Sequence, residues 1–294
     1  MKEIIFKGCG TAIITPFKEN GDIDFDGFKK LIENQIANEV DALIVCGTTG
    51  EASTMTKDER KQVIEFALKT VNKRIPVIAG TGSNCTKDAI EMTKWAEGAG
   101  CDGALVVTPY YNKTTQPGLV AHYTAIAQSV KMPIIMYNVP GRTGLNIKPE
   151  TCLELSKVPN IVAIKEASGD LAQVKQIHEL CGYELSIYSG NDDQIVPIMD
   201  LGGIGVISVL SHVAPKFTHN MTKEFFNGNI QKARQMQEKC LPLCKALFCE
   251  VNPIPVKYAM SLQGYTSAKP RLPLIESSDN AKKMIETAIK EFEA

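Results

Sequence analysis

Long hydrophobic runs are missing from this sequence: no stretch approaches the roughly 18 apolar residues that a membrane span requires. The opening "MKEIIFKGCGTAIITPF" is apolar only in short pieces and lacks the continuous apolar core of a signal peptide, so a cytoplasmic chain is expected. An excess of either charge is missing as well. The 32 basic and 33 acidic residues leave a formal net charge of −1, with no basic run and no interleaved basic and aromatic stretch. Nothing electrostatic therefore favours nucleic acid or an anionic membrane as a partner. No C-x-x-C pair occurs among the nine cysteines. Most, such as Cys46, Cys101, Cys152 and Cys181, lie in apolar runs or helical patterns, which suits a reducing compartment. Cys240, Cys244 and Cys249 share one helical stretch with no histidine near, and read as buried thiols on a helix face rather than a zinc site. His122, His178, His212 and His219 show no ligand spacing and read as structural. "GTG" (80–82) and "LGGIG" (201–205) fit neither a dinucleotide fingerprint nor a P-loop. No metal is expected.

What the chain does have is short apolar runs alternating with longer amphipathic segments. The runs are "TAIITPF" (11–17), "ALIVCG" (42–47), "IPVIAG" (75–80), "GALVVTP" (103–109), "PIIMYNVP" (133–140), "IVAIKEA" (161–167), "LSIYSG" (185–190) and "IGVISV" (204–209). They are rich in Val and Ile without polar alternation, as strands buried on both faces of a parallel sheet read. Between them lie helical patterns: 25–38 with Phe28, Leu31, Ile32 and Ile36 on one face; 57–72, opened by the capping box Thr56-x-x-Glu59; and 117–130 with Leu119, Tyr123, Ile126 and Val130. The spacing leaves room for a right-handed crossover helix each time. Eight such units in about 225 residues match an α/β architecture, an eight-stranded (β/α)8 TIM barrel. The competitor is a doubly wound open sheet, but "ITPFKENGDID" after the first run carries no Gly-rich fingerprint. From about 225 the sequence reads as helical, with Pro253 and Pro255 breaking the chain before a restart and a last helix over 278–292. We expect a barrel over 1–224 and a C-terminal helical extension over 225–294 packed on it.

In such a barrel the active site lies at the carboxyl ends of the strands, so unusual polar residues should follow the apolar runs. They do: "GTTGE" (47–51), "TPYYN" (108–112), "YNVPGRTG" (137–144) and "YSGND" (188–192) follow four runs, and the sixth run carries Lys165. A lysine inside an apolar run is costly unless it reaches solvent or loses its proton. Alone, Lys165 reads as a strand-end charge; with four polar termini on the same rim, it reads as a nucleophile. A neutral amine adds to a ketone and loses water to give an imine, an electron sink that lets the adjacent carbon lose a proton and attack an aldehyde. That chemistry needs no metal. Free lysine is almost wholly protonated at neutral pH, so a desolvating site is expected. Tyr137 is the candidate acid/base, or else a core tyrosine with a satisfied hydroxyl. "GTTGE" offers hydroxyls and backbone N–H groups for a carboxylate, or is a plain strand–helix turn. Arg142 forks a second carboxylate, or makes a surface salt bridge. Tyr110 and Tyr111 also read as interface packing.

These motifs, with "IAGTGSN" (78–84), "VTPYYNK" (107–113), "IKEASGD" (164–170), "GVISV" (205–209) and "NPIPVK" (252–257), run in order along essentially the whole chain. In them the sequence resembles the dihydrodipicolinate synthase family, pyruvate-dependent class I aldolases that include N-acetylneuraminate lyase. The resemblance implies condensation of pyruvate with L-aspartate 4-semialdehyde, on the route to diaminopimelate and lysine, with no cofactor beyond the imine on Lys165. It implies a proton relay of Tyr137, Thr49 and Tyr111, the last donated by a neighbouring subunit. Thr48 and Thr49 would hold the pyruvate carboxylate, Arg142 the semialdehyde carboxylate, and Gly190 and Ile207 would line the pocket. A homotetramer built as a dimer of dimers is implied.

One region departs from the family pattern. Members inhibited by lysine bind it in part through histidines on the helix after "GTTGE", where this chain has Lys57 and Arg60. Asp88 replaces a glutamate, Ala52 and Ser53 swap their usual order, and Asn84 and Tyr110 match. Two cations should repel an effector that brings an ammonium group, so weak or absent inhibition by lysine is expected.

Two other functions compete. A sialic acid or keto-sugar-acid lyase would share Lys165, Tyr137 and "GTTGE", but its polyhydroxyl substrate has no use for Arg142. An inactive barrel serving as a binding protein should have lost one of the catalytic residues, and none is missing.

Overall fold

The computed structural model describes residues 2–293. Eight parallel strands, β1 (Gly8–Ala12), β2 (Ala42–Val45), β3 (Val77–Gly80), β4 (Gly103–Val107), β5 (Ile134–Asn138), β6 (Ile161–Glu166), β7 (Ser186–Ser189) and β8 (Gly205–Ser208), close into a barrel in sequence order. The strands are linked by helices α1 (Phe25–Ala37), α2 (Lys57–Val71), α3 (Thr86–Ala99), α4 (Gln116–Gln128), α5 (Pro140–Thr143), α6 (Pro149–Leu155), α7 (Leu171–Cys181) and α8 (Ile195–Asp200). Then follow α9 (Pro215–Phe226), α10 (Ile230–Leu247), α11 (Ile254–Leu262) and α12 (Asp279–Glu293). The (β/α)8 barrel with its helical extension is thus the fold. Helix α9 runs across residue 224, and α10 packs against both α9 and α12. None of the described helices is long and apolar enough to cross a membrane.

Local signals act as read. Thr56 accepts from Glu59 N while the Glu59 carboxylate accepts from Thr56 N at 2.9 Å, so the capping box starts α2. The first strand is a correction. The apolar run at 11–17 marks not β1 itself but the last part of it and the loop that follows. Residues 8–12 form the strand because Gly8 to Thr11 pair with β8 and Gly10 to Ala12 with β2. Ile13, Ile14 and Phe17 are buried, so the run is hydrophobic for packing rather than for pairing. A second correction concerns Cys249: it lies beyond α10 and is exposed, whereas Cys240 and Cys244 are buried on that helix.

Strand residues divide between two cores with period two. Leu43, Val45, Ile134 and Met136 face the helices, while Ala42, Ile44, Ile135 and Tyr137 face the barrel interior. Burying one such Ile or Leu contributes about 1.5–3 kcal/mol, so a strand cannot rotate cheaply. In β6 the alternation is interrupted. Ile134 of β5 pairs with Ile161 but Ile135 pairs with Ala163, which leaves Val162 as an extra residue. Ile161 faces the helices, Val162 and Ala163 both face inward, and Ile164 faces the helices again. Strict alternation from Ile161 would aim position 165 outward; the bulge turns Lys165 into the barrel.

Candidate active site

Lys165 is 6% exposed near the carboxyl end of β6, in register with Tyr137 of β5 and Tyr188 of β7. Its ammonium nitrogen lies 4.4 Å from the centre of the Tyr137 ring. Among the described residues it makes no hydrogen bond and no ion pair. The strand-end reading, a lysine reaching into water, is therefore wrong for this position. The next residue, Glu166, points the opposite way, toward the helices. It accepts from Asn138 Nδ2 at 2.9 Å, Ser168 N at 2.7 Å and Gln173 Nε2 at 3.1 Å. Burial pushes its carboxyl above the usual range and these donors oppose the shift. Asp192 is also buried, held by Ser208 Oγ at 2.5 Å and by the N–H groups of Val209 and Leu210 at 2.9 Å. Burial raises its pKa too, against those bonds and the charge of Lys165.

Glycine at 190 is required by the end of β6 and the residue after it, where the backbone oxygen of Glu166 also lies 3.1 Å from the place of a Cβ. A Cβ there would stand 3.1 Å from Lys165 Cε and 2.6 Å from Ala167 Cβ, nearer than atoms pack without displacement. Ile207 of β8 is buried in the same interior cluster as Tyr137.

A cavity of about 270 Å³ opens beside Tyr137. Thr48 of the loop after β2 lines it, as do Arg142 of α5 and Tyr110 of the loop after β4. Thr49 is buried, and its hydroxyl accepts from Asn252 Nδ2 at 2.9 Å. Arg142 is exposed and donates from Nη2 to Asn252 O at 3.1 Å, with no carboxylate partner among the described residues. One tail residue thus touches both loops.

The loop after β2 is held from below by a buried ion pair. Glu51, in a left-handed backbone conformation at φ 53°, meets Lys257 of α11, and both side chains are fully buried. Glu51 also accepts from Arg271 N at 3.0 Å, and Lys257 lies 4.1 Å from the Phe17 ring centre. Burial pushes the Lys257 pKa down to about 8, with Glu51 opposing the shift. Removing either partner would strand a buried charge, so the pair fixes the loop more than it stabilises the fold. Neither Asn252 nor Lys257 stands out as functional in the sequence. The signal was there in "NPIPVK": a lysine between apolar residues, the same anomaly that marks Lys165.

Tyr111 does not join the others. It is 91% exposed with φ 71°, turned away from the cavity that Tyr110 lines. The effector candidates also divide. Ala52, Ser53, Tyr110 and Arg60 line the cavity. Lys57 instead pairs with Asp88 at 2.6 Å and Glu91 at 3.6 Å on the surface, so its charge is compensated. Asn84 offers its main-chain carbonyl to Asn112 Nδ2 at 2.9 Å. Of the two cations expected to repel an ammonium group, only Arg60 faces the cavity; it donates from Nη2 to Gly80 O at 2.8 Å.

A lysine amine aimed into a (β/α)8 barrel beside a tyrosine, with an arginine at the mouth of the cavity, defines a lyase of the class I aldolase type. Comparison with known proteins narrows the class. A family model described as the dihydrodipicolinate synthetase family matches residues 5–292. The chain belongs to that family. It is 56% identical over 289 residues to a 4-hydroxy-tetrahydrodipicolinate synthase of a Thermoanaerobacter species, covering 98% of this chain and 97% of that one. The crystal structure of dihydrodipicolinate synthase from Thermotoga maritima superposes with a TM-score of 0.97 at 44% identity, covering 99% of both chains. The chloride-inhibited enzyme from Acinetobacter baumannii, solved with pyruvate, superposes with a TM-score of 0.96 at 42% identity, again over 99% of both.

Proposed function

We propose that the protein condenses pyruvate with L-aspartate 4-semialdehyde, the 4-hydroxy-tetrahydrodipicolinate synthase reaction. The observation that carries this reading is the buried, unpaired amine of Lys165 beside Tyr137. The amine adds to the ketone of pyruvate, and loss of water gives the protonated imine. A proton leaves the pyruvate methyl group, and the enamine carbon attacks the aldehyde. The semialdehyde's own amine then displaces Lys165 from the imine, closing a ring and freeing the enzyme. No further cofactor is required.

Tyr137 carries protons to and from the reacting oxygen atoms, with Thr49 and the Tyr111 of a neighbouring subunit completing the relay. The exposure of Tyr111 supports that role, because a side chain outside its own pocket is free to enter another. Thr48 and Thr49 hold the pyruvate carboxylate, and Arg142 forks the semialdehyde carboxylate. Gly190 and Ile207 shape the floor around Lys165. The working form is a homotetramer, a dimer of dimers in the cytoplasm.

The test is an assay of pyruvate consumption with L-aspartate 4-semialdehyde, set against cleavage of N-acetylneuraminate. Turnover of the first pair alone supports the reading. Arg142→Ala should raise KM for the semialdehyde by about 10- to 100-fold and leave pyruvate binding intact, as loss of a charge-assisted pair would. Cleavage of the sugar acid without condensation would overturn the assignment.

A further inference from the structure

Asn252 is buried at 6% exposure between α10 and α11, and its side chain does one thing among the described residues: Nδ2 donates to Thr49 Oγ1 at 2.9 Å. The side-chain oxygen, Oδ1, is buried with no partner. An orphaned buried acceptor is costly, and an apolar side chain of the same shape would remove that cost, so the amide is retained for its donor. What the amide N–H does is occupy an acceptor lone pair of the Thr49 hydroxyl. A threonine hydroxyl has a single proton on a freely rotating bond. Once a donor occupies the side facing the tail, that proton cannot point toward the tail and is directed away from Asn252. The main-chain carbonyl of the same residue receives Arg142 Nη2 at 3.1 Å. Asn252 therefore meets the loop after β2 through its side chain and the segment after β5 through its backbone.

We infer that Asn252 is a positioning residue: its amide sets the direction in which Thr49 donates its proton. The inference rests on the condensation reading above, in which Thr49 belongs to the relay. It separates two functions of one residue. The side chain governs proton transfer, while the carbonyl, which survives substitution, governs the placement of Arg142. Side-chain variants should therefore change kcat and spare KM for the semialdehyde.

Two substitutions distinguish this from a filler role. Asn252→Asp keeps the shape but puts an acceptor where the donor was, so the Thr49 proton turns toward the tail. Asn252→Ala removes the group and leaves the hydroxyl free to rotate. The expected order is unusual: the isosteric Asn252→Asp loses about 100-fold in kcat, and the truncated Asn252→Ala about 10-fold. KM for the semialdehyde stays within about twofold in both. In a Thr49→Val background, neither substitution should lower kcat further, because the group they act through is gone. If the alanine variant is as impaired as the aspartate, or if losses add on Thr49→Val, Asn252 merely fills space and the inference is overturned. Should one Asn252 variant fail to fold, the other is compared with Thr49→Val: its loss in kcat must vanish in the Thr49→Val background, and a loss that persists there overturns the inference. Borohydride trapping of pyruvate on the wild-type protein separates the two levels. An adduct with indifferent Asn252 variants removes this inference alone; no adduct removes the condensation reading and this inference with it.

Discussion

Lys165 and Tyr137 occupy paired positions on adjacent strands, with the lysine nitrogen 4.4 Å from the tyrosine ring centre. Tyr137 thus brings an acid/base group to the side of the lysine. Tyr137→Phe should lower kcat by about 100- to 10,000-fold and change KM for pyruvate little, as expected for loss of general acid–base catalysis. Steady-state kinetics on the variant checks this. An unchanged kcat would remove Tyr137 from the mechanism.

Gly190 has a narrower role. Gly190→Ala would place a methyl group 2.6 Å from Ala167 Cβ and 3.1 Å from Glu166 O and Lys165 Cε, so either the end of β6, with the lysine, or the loop after β7 shifts. Displacing a reacting amine by even about 1 Å costs on the order of 100-fold. The expected variant is folded, melts somewhat lower, as overpacking costs about 1–3 kcal/mol, and has at least about tenfold lower kcat. Wild-type activity would show that the loop yields instead.

His212 makes stability depend on pH. Its Nε2 accepts from Ile14 N at 3.0 Å and its Nδ1 donates to Val209 O at 2.9 Å, so the neutral ring is fixed in one tautomer. Burial lowers its pKa from 6.5 to about 4. In the unfolded chain the ring takes a proton near its ordinary pKa; in the fold it resists until far lower pH. The stability it contributes is therefore complete above the unfolded pKa and is lost as pH falls toward about 4. The loss is on the order of 2–3 kcal/mol between about pH 7 and about pH 4.5. Raised carboxyls such as Glu166 and Asp192 act in the opposite sense, so the comparison is with His212→Gln. Urea denaturation at both pH values should show the wild type losing its advantage over the variant at acid pH. A constant difference would contradict the account.

Lysine should inhibit weakly or not at all. The cavity carries Arg60 and no carboxylate among its lining residues, which leaves an incoming ammonium group without a counter-charge. Repulsion rests on Arg60 together with Arg142, which lines the same cavity, because Lys57 is paired with Asp88 and Glu91. A lysine titration of the activity measures this directly, and strong inhibition below the millimolar range would contradict it.

Much of this architecture was legible. Seven of the eight apolar runs coincide with strands, because fully buried parallel strands carry a continuous apolar signal. The first run was displaced because Gly8 and Gly10 give no such signal. Gly8 stands at φ 116° against Asp41, whose carboxylate occupies the space of any side chain there. The direction of Lys165 was not legible, because it depends on an extra residue at Val162 that only pairing with β5 reveals. The contribution of the tail was legible only as the odd lysine of "NPIPVK", not as a contact. Asn252, Lys257 and Arg271 are distant in sequence from "GTTGE", and their contacts with Thr49 and Glu51 arise only when α11 packs. Tyr111 was named from resemblance, and the fold of one chain leaves it on the surface.

The most direct test of the central claim is mass spectrometry after borohydride reduction in the presence of pyruvate, followed by peptide mapping. The account predicts a single reduced pyruvyl adduct on Lys165, absent from Lys165→Ala. No adduct on folded wild-type protein, or an adduct on another lysine, would contradict it.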